Sequence, residues 1–186
     1  APRAGYLLIA AIALLAAVGL ALLSRRYDRV ARGDAAMPLD LRAAARMVWS
    51  NPALTALAIL SIPFSAMQLG LNAYLVSFAV SALRLDHVAA GLLLGVAQAG
   101  GLAGRLLWGV VATWISAPRA VLVGLGFGMS AAALVVALAG DMLSIALLFG
   151  VAFAFGLTAS GWNGVFLAEV ARLAPDGRVA EATGAV

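Results

Sequence analysis

Charged residues divide this chain into five long apolar runs, and their spacing is the feature that most constrains the fold. A bilayer core about 30 Å thick needs about 20 helical residues to cross it. Each run reaches that length, and only one run contains a charge, at Arg105. The runs cover residues 4–24, 47–83, 88 to about 112, 120–139 and 142 to about 168. The sequence therefore predicts five transmembrane helices.

The composition agrees with lipid as the main solvent of the chain. Hydrophobic residues make up 65% of the sequence and charged residues 11%, and the mean hydropathy is +1.06. A soluble globular domain carries about 25% charged residues, which cover its surface. The chain contains no cysteine, which excludes disulfides, thiolate metal sites and cysteine nucleophiles. The predicted fold class is an all-α, polytopic transmembrane helix bundle in a lipid bilayer.

Arginine supplies all 12 basic residues, and its distribution between the loops predicts the orientation. When successive loops are assigned to alternate sides, every arginine except Arg3 and Arg84 falls on the same side. Cytoplasmic loops carry such an excess, so the segment 25–51 is predicted to be cytoplasmic. The basic excess is then a matter of topology and predicts no nucleic-acid partner. Abundant alanine and the absence of lysine are typical of GC-rich bacterial genomes, which favours the bacterial inner (plasma) membrane.

Three regions are predicted along the chain. Residues 1–24 form a transmembrane helix, residues 25–51 a central cytoplasmic loop, and residues 52–186 a helix bundle that is truncated at its end. Both ends of the sequence are expected to continue in a longer protein. Apolar residues at helical spacing predict a short helix on the membrane surface within the loop, and a solvated charged loop is the alternative. These apolar residues are Leu41, Ala44, Ala45 and Val48.

The sequence contains no arrangement of side chains that is typical of catalysis, cofactor binding or metal binding. The single histidine, His87, has no partner at HExxH spacing, and no GxSxG motif occurs. The glycines from Gly124 to Gly128 lack the third glycine of a dinucleotide-binding loop. The prediction is a protein that is not an enzyme, with no catalytic residues, no cofactor and no metal.

Uncharged polar side chains inside the apolar runs indicate where a solute could bind. Gln68 and Asn72 are four residues apart on the second run, so they share a helix face near mid-bilayer. Gln98 lies in the third run, and Trp162 and Asn163 lie in the fifth. We predict that these five residues line one substrate cavity. Hydrogen bonding between helices, worth about 0.6–2 kcal/mol per bond, is their alternative role.

The third run carries a polar stripe. His87, Gln98 and Arg105 fall within about 20° of one another at 100° per residue. Arg105 lies about 26 Å into its run. Its long side chain is expected to reach the cytoplasmic interface and not to bind substrate, because an arginine at the bilayer centre is costly. No acidic residue lies at mid-membrane, so the cavity suits a small polar or anionic solute better than a cation.

Small residues and the plain fourth run predict how the helices pack. The fourth run, 120–139, has almost no polar side chain, which predicts a peripheral helix that faces lipid. Glycines four residues apart allow helix backbones to approach closely in lipid. Such pairs are Gly91 with Gly95, Gly100 with Gly104, and Gly124 with Gly128.

Three segments resemble the major facilitator superfamily. Residues 104–109, GRLLWG, followed by Ala-Pro-Arg at 117–119, are similar to the loop between the eighth and ninth helices of that family, where a G-x-x-x-D-R/K-x-G-R/K-R pattern recurs. Residues 49–52, WSNP, open a helix after a basic central loop. Residues 161–184, from GWNG through Glu169 and Arg172 to Gly184, are similar to the tenth helix and the loop after it.

The resemblance implies a place for each helix and a function. The chain would cover the sixth helix, the central loop, helices seven to ten and the start of helix eleven, with the missing N-terminal half as its partner. It implies secondary active transport of a small-molecule substrate by alternating access around a midplane site. A non-transporting membrane receptor or assembly scaffold of the same fold is the alternative.

The loop resemblance also implies a cytoplasmic gate. Its predicted residues are Arg105, Trp108, Gly109 and Arg119. The loop departs from the family pattern, because Thr113 stands where the family has its aspartate and Trp114 where it has a basic residue.

Overall fold

The computed structural model describes residues 10, 11, 13–19, 21 and 41–186. The chain divides into two compact units, 1–39 and 40–186. In the first unit all of the described residues are helical. The loop predicted over 25–40 lies outside the described residues.

The second unit is a bundle of α-helices, and its described residues include no strand. Four segments are long and apolar enough to cross a membrane: α2, α3, α4 and the segment Ile145–Leu173, which contains α5 and α6. They coincide with the last four predicted runs and confirm the all-α fold class. The helices are α1 (Leu41–Ser50), α2 (Pro52–Ser81), α3 (His87–Ile115), α4 (Pro118–Ala139), α5 (Ile145–Ala159), α6 (Trp162–Leu173) and α7 (Val179–Ala185).

Local sequence chemistry sets the starts of the two longest helices. Pro52 is the first residue of α2, and the Asn51 side chain caps it by accepting from backbone N–H groups at 3.0 and 3.4 Å. Asp86 caps α3 in the same way, with two bonds of 2.8 Å. Asn and Asp are preferred at this position because they satisfy N–H groups that have no partner inside the helix. The helix starts are therefore fixed within one residue.

The connection between α3 and α4 is a tight turn. Ser116 ends α3 with a left-handed φ of 52°, and Pro118 begins α4. Proline suits the first helical position because it has no N–H to satisfy. Arg119 is thereby held beside the ends of both helices.

The predicted surface helix is present as α1, but it is rotated from the predicted face. Ala44 and Val48 are buried as expected, whereas Ala45 is exposed and Met47 is buried in its place. The reason is that α1 packs against α2 and α7. The Thr55 hydroxyl at the start of α2 also donates to the Val48 carbonyl oxygen at 2.8 Å. The side chain of Leu41 lies outside the described part of the chain.

Helices α3 and α5 pack with their backbones in direct contact. A Cβ atom added at Gly100 would collide with the backbone carbonyl of Phe153, and one added at Gly104 with that of Leu157. From the other side, a Cβ at Gly156 would collide with the carbonyl of Ala97. Glycine is therefore required at these positions, and the predicted Gly100 and Gly104 pair is confirmed.

The other two predicted glycine pairs do not pack in this way. Gly91, Gly95 and Gly124 lie on exposed helix faces, and a Cβ at any of them would meet no atom within 4 Å. Gly128 lies only against the side chain of Thr158. Four-residue spacing alone does not show which face of a helix meets a neighbour.

The last span, which the sequence suggested as one helix, is broken. Helix α5 ends at Ala159 and α6 begins at Trp162, with Ser160 and Gly161 between them. The span runs over 29 residues, so the break falls close to its middle. A Cβ at Gly161 would collide with the backbone carbonyl of Leu157, one turn earlier on α5. The chain can therefore take this conformation at the break only with glycine at position 161.

Helix α4 has apolar side chains both on the face that packs against other helices and on its exposed face. Leu122, Leu125 and Met129 are buried where α4 packs against the broken span. Phe127 and Leu138 are among the exposed apolar side chains on its other side, with 75% and 76% exposure. This agrees with the peripheral, lipid-facing helix that the sequence predicts.

Candidate substrate site and gate

Polar side chains from three spans lie near the middle of those spans. Each is within about four residues, or about 6 Å along the helix, of the middle of its own span. We call this set the mid-span cluster. Its members are Gln68 on α2, Gln98 and Arg105 on α3, and Ser160, Trp162 and Asn163 at the break in the last span.

Gln68 connects α2 to the start of α6. Its Oε1 atom accepts from Trp162 Nε1 at 3.3 Å and from Asn163 Nδ2 at 3.2 Å. Trp162 is 4% exposed and meets Phe64 and Phe166 edge-on, with ring centroids 5.4 and 5.1 Å away. Such edge-on contacts stabilise one ring orientation. They hold the indole N–H where Gln68 can accept from it.

The backbone carbonyl of Ser160 connects this group to α3. It accepts from Asn163 Nδ2 and from Arg105 Nε, each at 3.4 Å. Gln98, Arg105 and Ser160 also line a cavity of about 230 Å³ between α3 and the break, together with Gly101 and Leu102. The break and the two amides of α2 and α3 therefore belong to one continuous polar region.

The five predicted cavity residues are distributed unevenly around this region. Gln68, Trp162 and Asn163 are joined by hydrogen bonds. Gln98 lies beside Arg105 in the adjoining cavity. Asn72, one turn beyond Gln68 on α2, is exposed.

Ser160 is a member of the cluster that the site prediction missed. Its hydroxyl is buried and makes no hydrogen bond within the described structure. A polar residue next to Gly161 in the middle of an apolar run was the available signal, because both residues weaken a helix at that point.

A second polar group lies where α3 and α4 meet the end of α6, the end that the arginine distribution predicts to be cytoplasmic. The Glu169 side chain is 0% exposed, and its Oε1 atom accepts from Arg119 Nε at 3.1 Å. Arg172 binds the same carboxylate twice, with Nε at 2.7 Å and Nη2 at 2.6 Å. We call Arg119, Glu169 and Arg172 the end cluster.

Two of the four predicted gate residues, Gly109 and Arg119, lie in or near the end cluster, whereas Trp108 contacts the break in the last span. Trp108 Nε1 donates to the Leu157 carbonyl at 2.8 Å. Gly109 lines a cavity of about 170 Å³ together with Glu169, and Arg119 pairs with that residue directly. The fourth, Arg105, is in the mid-span cluster instead. This places it one turn of α3 deeper than Trp108.

Glu169 and Arg172 were missing from the predicted gate. The signal for them is a carboxylate at the end of an apolar run with an arginine three residues later, which on a helix places the two side chains together. The pairing of Glu169 with Arg119, which lies on another helix, could not be predicted from the spacing of residues in the sequence.

Comparison with protein families agrees with this arrangement. The chain matches the Major Facilitator Superfamily over residues 2–186. It belongs to that superfamily. Members of the superfamily are membrane transporters rather than enzymes, so the chain is part of an integral membrane protein of solute transport. Searches of curated proteins and of solved structures gave no match.

The loop between α3 and α4 follows the pattern of the major facilitator superfamily only in part. Thr113, which stands where the family pattern has an aspartate, donates its hydroxyl to the Gly109 carbonyl of its own helix at 2.9 Å. Arg119 keeps the basic end of the pattern and finds its carboxylate on α6, at Glu169. The charge pairing of the loop is therefore made between helices.

Proposed function

We propose that this protein carries a small polar or anionic solute across the bacterial inner membrane by secondary active transport with alternating access. The mid-span cluster is the binding site, and Trp108, Gly109 and the end cluster form the cytoplasmic gate. The observation that carries the proposal is the convergence of polar side chains from three spans near the middle of each span.

The amides of the cluster retain free hydrogen-bonding atoms. Gln68 uses Oε1 and Asn163 uses Nδ2, whereas Gln68 Nε2 and Asn163 Oδ1 have no protein partner in the described part of the chain. One atom is a donor and the other an acceptor. Trp162 supplies an apolar wall beside them. A small solute with both donor and acceptor groups fits this set.

The break in the last span supports alternating access. Transporters of several folds bind their solutes at discontinuous helices near the midplane, where one part of the bundle moves against another. Here α5 packs rigidly against α3 through glycine, while α6 is joined to α5 only through Ser160 and Gly161. The end cluster connects α6 to α4. Separation of Arg119 from Glu169 would free the end of α6.

The domain assignment follows from the same proposal. Residues 1–24 are the sixth helix of the family, residues 25–51 the central cytoplasmic loop, and residues 52–186 part of the C-terminal half. The N-terminal half supplies the opposite wall of the cavity. Within the mid-span cluster, Arg105 bonds to the Ser160 carbonyl and lies three residues before the gate residue Trp108 on α3.

Uptake by the complete protein in proteoliposomes tests this function. We expect Gln68→Leu and Asn163→Leu each to lower uptake of the preferred solute at limiting concentration by about twofold to tenfold, since each hydrogen bond to a solute contributes about 0.5–1.5 kcal/mol. The matched control is Ser77→Leu, which places leucine at an exposed position of the same helix as Gln68. Asn72→Leu shows whether Asn72 also contacts the solute.

Two outcomes would contradict the proposal. Unchanged solute affinity in both the Gln68 and the Asn163 variants would remove the mid-span cluster from the site. Saturable binding of a solute with no flux under any gradient would favour the receptor or scaffold alternative. Alternating access itself predicts that a cysteine at Asn163 reacts with membrane-impermeant reagents from both sides of the membrane.

A further inference from the structure

We infer that Arg105, Gln98 and Ser160 form a subsite that binds the carboxylate of a monoanionic substrate. The inference rests on the proposed transport function and names the substrate class of that site. The three residues line one cavity of about 230 Å³ between α3 and the break in the last span.

The position of Arg105 on α3 is the first argument. The Arg105 side chain was expected to reach the cytoplasmic interface because the third span was predicted to end near residue 112. Helix α3 in fact continues to Ile115, ten residues or about 15 Å beyond Arg105. Arg105 thus lies only four residues, or about 6 Å, from the middle of the helix. Ionisable residues at that depth face cavities and are characteristic of substrate or ion pathways.

The partners of Arg105 are the second argument. Its Nε donates to the Ser160 carbonyl at 3.4 Å, and this is its one hydrogen bond among the described residues. No described carboxylate pairs with it, whereas Arg119 and Arg172 share Glu169. The two terminal nitrogens keep four N–H donors with no acceptor among the described residues. A guanidinium with its terminal nitrogens free is suited to a bidentate bond with a carboxylate.

Ser160 and Gln98 complete the donor set. Ser160 is 3% exposed, and its hydroxyl has no hydrogen-bond partner in the described structure. A buried hydroxyl left without a partner is unfavourable, and a bound acceptor would remove that cost. The Gln98 amide supplies two more N–H donors at the same cavity. One cation, one hydroxyl and one amide beside each other, with no acid, form a site for an anion.

The charge count favours a monoanion. Arg105 contributes a single positive charge to this cavity, and no other described cation lines it. A carboxylate balances this charge, while a phosphate dianion would leave one negative charge without a cation among the described residues that line the cavity. The amides and Trp162 of the neighbouring group are then available for the rest of the solute.

Binding to the complete, purified protein tests the subsite. The probes are acetate, propionate and lactate, the neutral amides of these acids, and inorganic phosphate, with dissociation constants read from tryptophan fluorescence. We expect one of the monocarboxylates to bind and Arg105→Gln to weaken it by about tenfold to a hundredfold, since a hydrogen bond to a charged group is stronger than a neutral one. Arg105→Lys should recover part of the loss, and Ser160→Ala should cause a smaller one.

The matched control is Arg84→Gln, which removes the same charge from an exposed turn before α3. It should leave the affinity unchanged. Melting temperature and monodispersity establish that each variant is folded, and Arg105→Lys provides a second test if Arg105→Gln does not fold. Equal affinity in the wild type and both Arg105 variants would overturn the subsite, as would tighter binding of phosphate or no binding of any monocarboxylate.

Uptake measurements with the same probes separate this inference from the function on which it rests. Transport of neutral amides without binding of monocarboxylates overturns the subsite and leaves the transport proposal in place. Arg105-dependent binding of a monocarboxylate without any flux supports the subsite and overturns the transport proposal.

Discussion

The mid-span cluster and the end cluster both contain arginine, but they differ in what surrounds it. In the end cluster two arginines share the Glu169 carboxylate, whose side chain is 0% exposed. In the mid-span cluster Arg105 has a backbone carbonyl as its partner and no described carboxylate. The first arrangement neutralises its own charge within the protein. The second leaves a charge for a solute or water to balance.

The arginines of the end cluster are exposed to solvent, whereas the carboxylate that they bind is buried. The side chains of Arg119 and Arg172 are 61% and 60% exposed, so their guanidinium groups remain partly hydrated while they bind Glu169. An exposed ion pair contributes little by itself. A buried carboxylate, however, depends on its partners. The end cluster therefore stabilises the contact of α4 with α6, the contact that opens in the gate we propose.

The largest effect on stability is expected when Glu169 loses both partners. In the double variant Arg119→Gln, Arg172→Gln, the carboxylate, whose side chain is 0% exposed, is left without a cation, which destabilises the folded protein. Unfolding in mixed detergent micelles measures this difference. Of the two single variants, Arg172→Gln should be the more destabilising, because Arg172 makes two of the three bonds to Glu169.

A triple variant tests whether the stranded charge is the cause. Adding Glu169→Gln to the double variant removes the buried charge and should restore most of the lost stability. If the triple variant is as unstable as the double one, the arginines stabilise the protein through contacts other than the ion pairs. The contrast between the two clusters would then no longer rest on charge.

The next largest effect concerns the backbone contact that positions the mid-span cluster. Gly156→Val should destabilise the protein by about 1–3 kcal/mol, the usual cost of overpacking, since even a Cβ there meets the carbonyl of Ala97. Gly150→Val on the same helix is the control, because a Cβ at Gly150 meets no atom within 4 Å. We expect solute affinity to fall with Gly156→Val, as Ser160 moves away from Arg105. Equal stability of the two variants would contradict the packing.

The membrane helices could be predicted because bilayer thickness and charge spacing act along the sequence itself. Asn51, Pro52 and Asp86 fix helix starts through bonds to their own neighbours, so these ends were also predictable. Ser160 and Gly161 mark a weak point in the last helix, but the sequence does not show whether the helix is interrupted there. Packing of Gly161 against Leu157 and Trp108 decides whether the helix continues.

The candidate site was predictable in its residue types and less so in its contacts. Depth along each run places Gln68 and Gln98 near the middle of their spans and Asn163 toward the cytoplasmic side, and in the structure Asn163 lies about four residues past the middle of its span. The rotation of each helix, which decides whether a side chain meets a neighbour, depends on packing between helices. For that reason Asn72 is exposed although it shares a run with Gln68, and the pairing of Arg119 with Glu169 was missed.

A smaller effect is expected for the hydrogen bonds within the mid-span cluster. A double-mutant cycle between Gln68→Leu and Asn163→Leu should give a coupling energy of about 0.6 kcal/mol, typical of polar pairs between membrane helices. Unfolding in mixed micelles again provides the measurement. A coupling energy as large as that between Glu169 and its two arginines would mean that these amides mainly stabilise the fold and are not available to bind a solute. Additive effects would show that the 3.2 Å bond contributes nothing to stability.

The smallest effect on stability is expected for Arg105→Gln, although we infer a large effect of the same change on binding. Arg105 makes one hydrogen bond, at 3.4 Å to a carbonyl, and no described ion pair, so little is lost when it is replaced. An arginine at mid-membrane costs about 2.5–3.5 kcal/mol on insertion scales, so its removal should leave the melting temperature unchanged or higher. With a monocarboxylate bound, the wild type should have the higher melting temperature of the two proteins, because a ligand that binds the folded protein stabilises it. The wild type should then gain in melting temperature with rising monocarboxylate concentration while Arg105→Gln does not. If Arg105→Gln without any ligand is instead destabilised as strongly as the double variant of the end cluster, Arg105 has a structural partner and the two clusters use arginine in the same way.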